Sequence, residues 1–374
     1  MSLFFSMKIK STFSQSLISW YKKNARSLPW RKTKDPYKIW ISEVMLQQTT
    51  VNAVIPYYER WVREFPSIAD VSQAPLQKIL KLWQGLGYYQ RAKNIHKSAK
   101  IVCDGYAGQL PEEAESLRRL PGFGPYTTGA VLSIAFNKRY PIIDANVRRV
   151  IMRVLAIKGC ADTTQDKRIL EFLHQTMPHR DIGIFNQGLM ELGALICRNR
   201  QPLCLLCPVK QNCAAYRKGV QEIIPTPKKR NIQDIAAAIG ILERNGHYFI
   251  QKRPSHGLLA DLWEFPGGKL GEGETALQAI RREIKEELGC ELEKAEHIMN
   301  LRHFYTSFRV HLYVFRCKLK SYPSGDQTHQ WVTLKELSNY PMPSGNAKLV
   351  ARLESENSVE RIGLSPGGIS KSCR

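Results

Sequence analysis

A glycine-rich turn between two helix-forming segments constrains the fold of this chain more than any other feature. The turn, LPGFGP, covers residues 120–125 and contains Gly122 and Gly124, and an apolar run follows from Thr127 to Phe136. Glycines flanked by prolines cannot continue a helix, and they permit positive φ in a tight turn. The segment is therefore predicted to be helix, hairpin, helix. Backbone N–H groups at the start of the second helix would be unpaired and could bind a phosphate.

Two isolated carboxylates stand among apolar residues. Asp144 follows an apolar run, and its ordinary interpretation is the N-cap of a helix that starts at Ala145. Glu43 lies near the start of a helix predicted over Trp40–Val51. Its ordinary interpretation is a solvated or dipole-stabilised side chain. Its functional interpretation is a carboxylic acid in an apolar pocket, whose pKa is raised by desolvation so that it can donate a proton.

The positive charge of the chain is concentrated in its first part. Of the net +22, residues 1–230 carry 36 Lys and Arg against 16 Asp and Glu, and the remainder carries 19 against 17. This asymmetry suggests that the first part binds nucleic acid, although a basic, solvated surface would look the same. Ser27–Arg31 is predicted to be a loop with an exposed aromatic–cation pair. The aromatics beside the glycines in Gly85–Tyr89 could enter a base stack or belong to the core.

Four cysteines form the strongest metal signal in the sequence. They have the spacing C-x6-C-x2-C-x5-C, at Cys197, Cys204, Cys207 and Cys213. Both zinc and a [4Fe–4S] cluster accept four thiolates. Zinc sites favour two closely spaced cysteine pairs, and only one is present here, so the spacing favours the cluster. Its expected role is structural.

The composition predicts several domains. An all-α domain is predicted over 1–216, with the metal loop at 197–213, and a basic linker over 217–234. An α+β domain follows over 235–361, with a hairpin at Asn245-Gly246, a helix over Ala276–Leu288 and one or two strands within His303–Leu319. The Ser- and Gly-rich tail, 362–374, is predicted to be disordered. No apolar run approaches the roughly 20 residues of a membrane span.

The glycine hairpin, the downstream Asp144 and the cysteine spacing together resemble the endonuclease III superfamily of DNA glycosylases. Within it, WISEVMLQQTTV (40–51) closely resembles the MutY family of adenine DNA glycosylases, and the likeness extends from about Leu28 to Cys213. The lyases of the superfamily carry a Schiff-base lysine at the position of Tyr126. No lysine lies between Arg119 and Lys138, so the resemblance implies a monofunctional enzyme.

The resemblance also implies the roles of individual residues. Glu43 would be the general acid, and Asp144, supported by Tyr126, would stabilise or trap the oxocarbenium ion left when adenine departs. DNA contacts would come from side chains and hairpin glycines, namely Arg31, Gln48, Tyr88, Gly122 and Gly124. The partner would be double-stranded DNA with adenine opposite 8-oxoguanine or guanine. The protein would be a cytoplasmic, nucleoid-associated monomer with no membrane contact.

The second domain carries a Nudix box, Gly268-x5-Glu274-x7-Arg282-Glu283-Ile284-x-Glu286-Glu287-x-Gly289-Cys290, which departs from the pattern only at Cys290. Glu283, Glu286 and Glu287 would share one helix face and could hold Mg²⁺. In the MutY family a domain resembling the MutT hydrolase recognises 8-oxoguanine, and its contact strand is best matched by Tyr305-Thr306-Ser307. Two alternatives stay open, namely a bifunctional chain that also hydrolyses 8-oxo-dGTP and a non-catalytic DNA-scanning iron–sulfur protein.

Overall fold

The structure, a computed structural model, describes residues 7–227, 232–304 and 308–361. Its contacts divide the chain into two compact units. The first consists of Met1–Ala74 and Gln90–Lys229, and the second of Pro75–Tyr89 and Arg230–Arg374. Two predictions, the disordered tail over 362–374 and the strand segment Tyr305-Thr306-Ser307, lie outside the described residues.

The described part of the first unit is helical apart from one isolated bridge between Cys160 and Thr226. Its α-helices are α1 Met7–Asn24, α2 Pro36–Leu46, α3 Val51–Glu64, α4 Ile68–Gln73, α6 Gln90–Gly105, α7 Ala114–Arg119, α8 Pro125–Ile134, α9 Ala145–Val154, α10 Asp166–Thr176, α11 Ile182–Leu195 and α12 Ala214–Arg217; α5, Leu76–Trp83, belongs to the second unit. Short 3₁₀ turns lie at Pro29–Arg31, Thr163–Gln165, Cys204–Leu206 and Lys210–Asn212. The predicted all-α character is confirmed.

The predicted hairpin and its buried second helix are confirmed. Helix α7 ends at Arg119, the chain turns, and α8 begins at Pro125, with every side chain from Thr127 to Ile134 buried. Gly122 has φ +84°, which L side chains rarely adopt, whereas Gly124 has an ordinary φ of −75°. Only the first glycine is therefore needed for its conformational freedom.

The helix predicted over Trp40–Val51 is wrong in its extent. Helix α2 begins at Pro36, capped by Asp35, and ends at Leu46, so Glu43 lies near its carboxyl end and not its start. Gln48 has φ +57°, which interrupts the helix before α3 begins at Val51. The Arg91 guanidinium satisfies the carbonyls of this end, donating to Val44 O (2.8 Å) and Gln47 O (2.6 Å). Dipole stabilisation of Glu43 is excluded by this placement.

The predicted basic linker, 217–234, is not an extended connector along its whole length. Ile224 is buried in the first unit, and its carbonyl accepts a hydrogen bond from Arg153 Nε at 2.7 Å. Thr226 N donates to Gly159 O at 2.9 Å. Residues 228–231 lie outside the described residues, and the first strand of the second unit begins at Gln233. The chain therefore stays packed on the first unit until shortly before the next one begins.

The second unit contains a mixed seven-stranded sheet and helices on both of its faces. The strands are β1 Gln233–Arg244, β2 His247–Lys252, β3 Trp263–Glu264, β4 Gly267–Lys269, β5 Leu292–Phe304, β6 Phe308–Leu319 and β7 His329–Thr333; the helices other than α5 are α13 Ala276–Leu288, α14 Leu334–Leu337 and α15 Ser344–Arg361. The strand order is β3-β2-β1-β6-β5, with β4 paired to β1 and β7 to β2. Among the strand pairs that the structure describes in this unit, β1 and β6 are the parallel pair. The predicted α+β class is confirmed.

Local sequence signals place the first hairpin of this sheet and helix α13 accurately, whereas β3, β4, β7 and most of β5 were not predicted. The Asn245-Gly246 turn joins β1 to β2, with φ +52° and +75°, as the hairpin prediction requires. Alternate residues of β1 enter two different cores. Ala238 and Leu242 pack in the core that contains Ile280 of α13, and Ile239 and Ile241 pack in the core that contains Leu349 of α15. This alternation is the signature of a sheet buried on both faces.

Candidate active site

A pocket in the first unit brings together residues that are far apart in sequence. It has a volume of about 640 Å³ and is lined by both isolated carboxylates, Glu43 and Asp144, together with Tyr126. Its apolar walls are formed by Leu28, Trp30, Ile39, Leu46, Ile143 and Met190. A cavity of this size that combines apolar walls with convergent polar groups is typical of a small-molecule or base-binding site.

Glu43 is buried inside this pocket. Its side chain is 5% exposed, and burial raises its pKa to about 7. The Tyr126 hydroxyl donates to Glu43 Oε2 at 2.5 Å, which opposes that rise because it stabilises the carboxylate. The negative charge of Asp144 raises the Glu43 pKa further. Burial and a raised pKa are what the functional interpretation of Glu43 requires, and its role as a general acid stays a prediction.

Asp144 is the N-cap of α9, as its ordinary interpretation predicts. Its Oδ1 accepts from Val147 N at 2.6 Å, and its Oδ2 accepts from Asn146 Nδ2 at 3.0 Å. Burial raises its pKa, and these two hydrogen bonds oppose the rise. The cap and the pocket position are compatible, because the cap fixes the carboxylate at a helix N-terminus that favours its anionic form.

The Tyr126 hydroxyl bonds directly to Glu43 and not to Asp144, so the predicted support of Asp144 by Tyr126 stays a prediction. The Tyr126 hydroxyl donates to Glu43, and it also lies 3.5 Å from the sulfur of Met190. Burial raises the pKa of Tyr126 well above its usual value, so the hydroxyl keeps its proton. Tyr126 therefore orients the acid, while Asp144 is held by its own helix.

The sequence analysis did not identify a third carboxylate of the pocket, Glu191. Arg26 donates to both of its oxygens (2.9 and 2.6 Å), and Arg31 does the same (2.9 Å each). Burial raises the pKa of Glu191, but these hydrogen bonds outweigh it and hold the pKa at about 2. A lone carboxylate in the apolar segment GLMELGAL (188–195) was a signal that could have found it.

The predicted exposed aromatic–cation pair in Ser27–Arg31 is wrong. Trp30 is 6% exposed, and the Arg31 side chain is 14% exposed because its guanidinium is bonded to the buried Glu191. Arg31 therefore lines the pocket and does not project from the surface as a loop cation. The other residues predicted to contact DNA, Gln48, Gly122 and Gly124 in the first unit and Tyr88 in the second, are exposed.

The four predicted cysteine ligands line one small cavity with Arg153 and Lys210. Arg153 Nη1 donates to Cys197 Sγ at 3.3 Å, and burial raises the pKa of the Cys207 thiol to about 12. Within the described residues, no group of three or more His, Cys, Asp or Glu side chains is arranged to hold a single metal ion. The four cysteines therefore line one shared cavity, and the metal that they would hold stays a prediction.

The carboxylates of the Nudix box are engaged with protein groups. Arg282 Nη1 donates to Glu283 Oε1 (2.8 Å) and to Glu286 Oε2 (3.1 Å). Glu287 Oε2 accepts from Gln251 Nε2 at 2.7 Å and from Gly267 N at 3.1 Å. Glu286 is largely exposed, whereas Glu283 is mostly buried. The Mg²⁺ site at these three residues stays a prediction.

None of the described helices combines the length and apolar character that crossing a bilayer requires.

Comparisons with known proteins agree on both halves of the chain. Residues 41–175 match the HhH-GPD superfamily of base excision DNA repair proteins, and residues 237–352 match the NUDIX domain. A solved structure of a thermostable thymine-DNA glycosylase is 31% identical, with 56% of this chain and 98% of that chain covered and a TM-score of 0.51.

Two relatives extend over nearly the whole chain. The adenine DNA glycosylase of Buchnera aphidicola subsp. Schizaphis graminum is 34% identical over 90% of this chain and 97% of its own length. The adenine DNA glycosylase of Mus musculus is 31% identical over 96% of this chain and 81% of its own length. The pocket holds a buried acid, Glu43, and a helix-capping aspartate, Asp144. Because both relatives are also similar to this chain over most of its length, the chain belongs to the adenine DNA glycosylase family.

Proposed function

We propose that this protein is a monofunctional glycosylase that removes adenine mispaired with 8-oxoguanine or guanine in double-stranded DNA. The observation that carries the proposal is the convergence of Glu43 and Asp144 on one largely apolar pocket, with the pKa of Glu43 raised to about 7. Adenine inside a duplex is unreachable, so it must be flipped out, and the apolar walls suit a flat base. Family membership supports the choice of base.

In the proposed reaction Glu43 donates its proton to N7 of the flipped adenine. The C1′–N9 bond then breaks, and its electron pair leaves with the neutralised base. Tyr126, which donates to Glu43 Oε2, keeps the other carboxyl oxygen available to carry the proton. Such tuning of a buried carboxyl is how proteins obtain a general acid near pH 7.

Asp144 stabilises the positive charge that develops on the sugar, or traps it covalently. Its carboxylate is fixed by Val147 N and Asn146 Nδ2 before the substrate arrives. A preorganised anion stabilises an oxocarbenium-like transition state without having to reorganise. Water then adds to C1′, its proton leaves to a pocket carboxylate, and an abasic site remains. With tyrosine at position 126 there is no amine in α8 to form a Schiff base with that sugar.

The exposed hairpin and turn residues are proposed to hold the opened duplex. Helix α8 begins at Pro125 after Gly124, which provides no side-chain cap, so the first free N–H groups of the helix can donate hydrogen bonds to a phosphate oxygen. Gln48 and Tyr88 are exposed non-glycine residues with positive φ, +57° and +49°. Such strained positions are common where a protein contacts a ligand.

A [4Fe–4S] cluster is proposed at Cys197, Cys204, Cys207 and Cys213. The spacing, with only one closely spaced cysteine pair, favours the cluster over zinc. The cavity that the four cysteines line together supports a shared site. When bound, the cluster would join the loop that follows α11 to Arg153 of α9 and provide structural support.

The proposed domains are the helical glycosylase domain, 1–216, and the Nudix-like domain, 235–361, joined by 217–234. The second domain is proposed to recognise 8-oxoguanine, and the protein to act as a monomer on chromosomal DNA. The similarity of residues 237–352 to the NUDIX domain supports that recognition role, and the intact Nudix box keeps hydrolysis of 8-oxo-dGTP as the alternative.

The test uses a duplex with a single A:8-oxoguanine pair. Incubation with the protein followed by alkali should break the strand at the adenine, and the strand should stay intact without alkali. Glu43→Gln and Asp144→Asn serve as inactive controls. If the wild-type protein left the adenine in place, the proposed function would be wrong.

A further inference from the structure

The second unit contains a segment that lies far from the rest of it in sequence. The chain enters this unit at Pro75 and leaves it after Tyr89, and it returns to the unit only at Arg230. The segment consists of α5 and the turn that follows it, and the turn carries the exposed Tyr88. Ile79, Leu80 and Trp83 of α5 are fully buried.

Hydrogen bonds fix both ends of this segment within the unit. At its start, Gln77 Nε2 donates to Asp261 O at 3.1 Å, and Gln77 Oε1 accepts from Trp263 Nε1 at 3.2 Å. At its end, Gln84 Oε1 accepts from Met342 N at 3.0 Å, and the Tyr89 hydroxyl donates to Met342 O at 3.0 Å. A single residue, Met342, therefore clamps the turn on both sides of Tyr88.

The clamped turn has an unusual backbone. Gly85 and Gly87 have φ +105° and +71°, and Tyr88 has φ +49° although it carries a Cβ. Trp83 Nε1 donates to Gly87 O at 3.0 Å and closes the turn from within. A side-chain-bearing residue at positive φ costs conformational energy, and it persists only where the surroundings fix it. Here the buried neighbours Leu86 and Tyr89, 7% and 4% exposed, leave Tyr88 as the exposed aromatic of the turn.

We infer that Gln84 and Tyr89, through Met342, are positioning residues that hold the Tyr88 turn ready to enter the base stack of damaged DNA. The Nudix-like unit thereby contributes to opening the duplex, in addition to its proposed recognition of 8-oxoguanine. This inference rests on the proposed function, because it assigns a use to Tyr88 as a DNA contact. Because the turn is already ordered before it enters the base stack, no conformational entropy is lost in ordering it during DNA binding.

The experiment separates duplex opening from chemistry. It uses the full-length protein and two substrates that share the adenine strand. One is a duplex with an A:8-oxoguanine pair, and the other is a bubble in which the target adenine is already unpaired. Single-turnover excision rates are measured for the wild type, for the double variant Gln84→Met with Tyr89→Phe, and for Tyr88→Ala. Gln90→Ala is the matched control, because its amide bonds to Asn94 on its own helix.

Removing the two hydrogen bonds to Met342 should slow excision from the duplex about tenfold, since each contributes about a factor of three to ten. For this double variant, excision from the bubble should stay at the wild-type rate. Tyr88→Ala, which removes the proposed DNA contact itself, should slow excision from the duplex at least as much as the double variant does. A merely destabilised protein would be impaired on both substrates, so an equal loss on both would overturn the inference. It would also be overturned if Tyr88→Ala slowed excision from the duplex and the double variant did not. A wild-type protein inactive on both substrates would instead contradict the proposed function.

Discussion

At the residue scale, the pocket shows how environment divides carboxylates of the same chemistry into different roles. Burial dominates at Glu43 and raises its pKa to about 7. At Glu191 two arginines outweigh burial and hold the pKa at about 2. One carboxyl can therefore carry a proton near neutral pH, while the other stays an anion that orders Arg26 and Arg31. Such divergence between neighbouring titratable groups is typical of acid–base sites.

The raised pKa of Glu43 predicts the pH dependence of excision. The protonated form is the active one, so the single-turnover rate should be highest below about pH 7 and fall towards tenfold per pH unit above it. Tyr126→Phe removes a hydrogen bond that lowers this pKa, so the alkaline limb should move to higher pH. Rates measured across the pH range for both proteins test this. An alkaline limb that moved to lower pH would contradict the assigned role of Tyr126.

Asp144→Asn separates charge from structure. Asparagine caps helices about as well as aspartate, so the melting temperature should hardly change. The transition state loses its stabilising charge, so excision should fall by about a hundredfold to a thousandfold or more. Binding of an A:8-oxoguanine duplex, measured by titration, should be retained. Full activity in this variant would rule out the proposed mechanism.

The tyrosine at position 126 also bears on whether the protein forms a covalent bond with the abasic product. With no lysine between Arg119 and Lys138, no Schiff base should form with the abasic sugar. Borohydride present during the reaction should therefore trap little protein on the DNA. Tyr126→Lys provides the comparison, because it would restore an amine at that position. Efficient trapping by the wild-type protein would contradict the monofunctional assignment.

At the element scale, the loop after α11 depends on its cysteines. Cys197, Cys204, Cys207 and Cys213 line one cavity, and burial raises the pKa of three of these thiols, those of Cys204, Cys207 and Cys213. Purified protein should be yellow-brown and contain about four irons per chain. Cys207→Ser should lose iron and melt at a lower temperature, whereas Cys103→Ser, which lies outside the cavity, should retain both. Stoichiometric zinc without iron in elemental analysis would contradict the cluster.

Helix α13 allows a similar test in the second unit. Glu286 and Glu287 are bonded to Arg282 and to Gln251 and Gly267. If the unit only recognises the lesion, Glu286→Gln with Glu287→Gln should leave adenine excision almost unchanged. If it is also a hydrolase, the wild-type chain with Mg²⁺ should release pyrophosphate from 8-oxo-dGTP, and the double variant should not. We expect no release. Hydrolysis by the wild type alone would establish the second activity.

At the scale of the whole molecule, the distribution of charge and the two compact units do not divide the chain at the same place. Nearly all of the net positive charge lies within residues 1–230. The segment Pro75–Tyr89, however, belongs to the second unit. Deleting everything after Arg230 would therefore also remove the partners of α5 and leave its buried face without cover. Such a truncation is expected to impair excision as well as weaken discrimination between 8-oxoguanine and guanine.

The concentration of charge predicts a steep salt dependence for DNA binding. Each phosphate contact releases counterions, so the affinity for duplex DNA should fall more than about tenfold between about 50 and 200 mM salt. The loss should be similar for a mispaired and a fully paired duplex, because phosphate contacts do not depend on base sequence. Binding titrations at several salt concentrations would show this. A flat dependence would mean that the basic residues form only a solvated surface.

The sequence by itself determined whatever depends on local periodicity and on residue type. Helix α13, the Asn245-Gly246 hairpin, the turn before α8 and the two carboxylates Glu43 and Asp144 were all predicted from neighbouring residues. Backbone sterics and burial patterns act over a few residues, so a single sequence carries them. The four-cysteine spacing belongs to the same class of local signal.

Only the tertiary structure decided which side chains meet. Glu191 bonds to Arg26 and Arg31, which lie about 160 residues away in the sequence. Tyr126 bonds to Glu43 and not to Asp144. Arg91 bonds to the carbonyl of Gln47, just after the end of α2. The placement of Pro75–Tyr89 in the second unit has the same origin. A hydrogen bond between distant residues depends on how whole helices pack, and no local pattern encodes that packing.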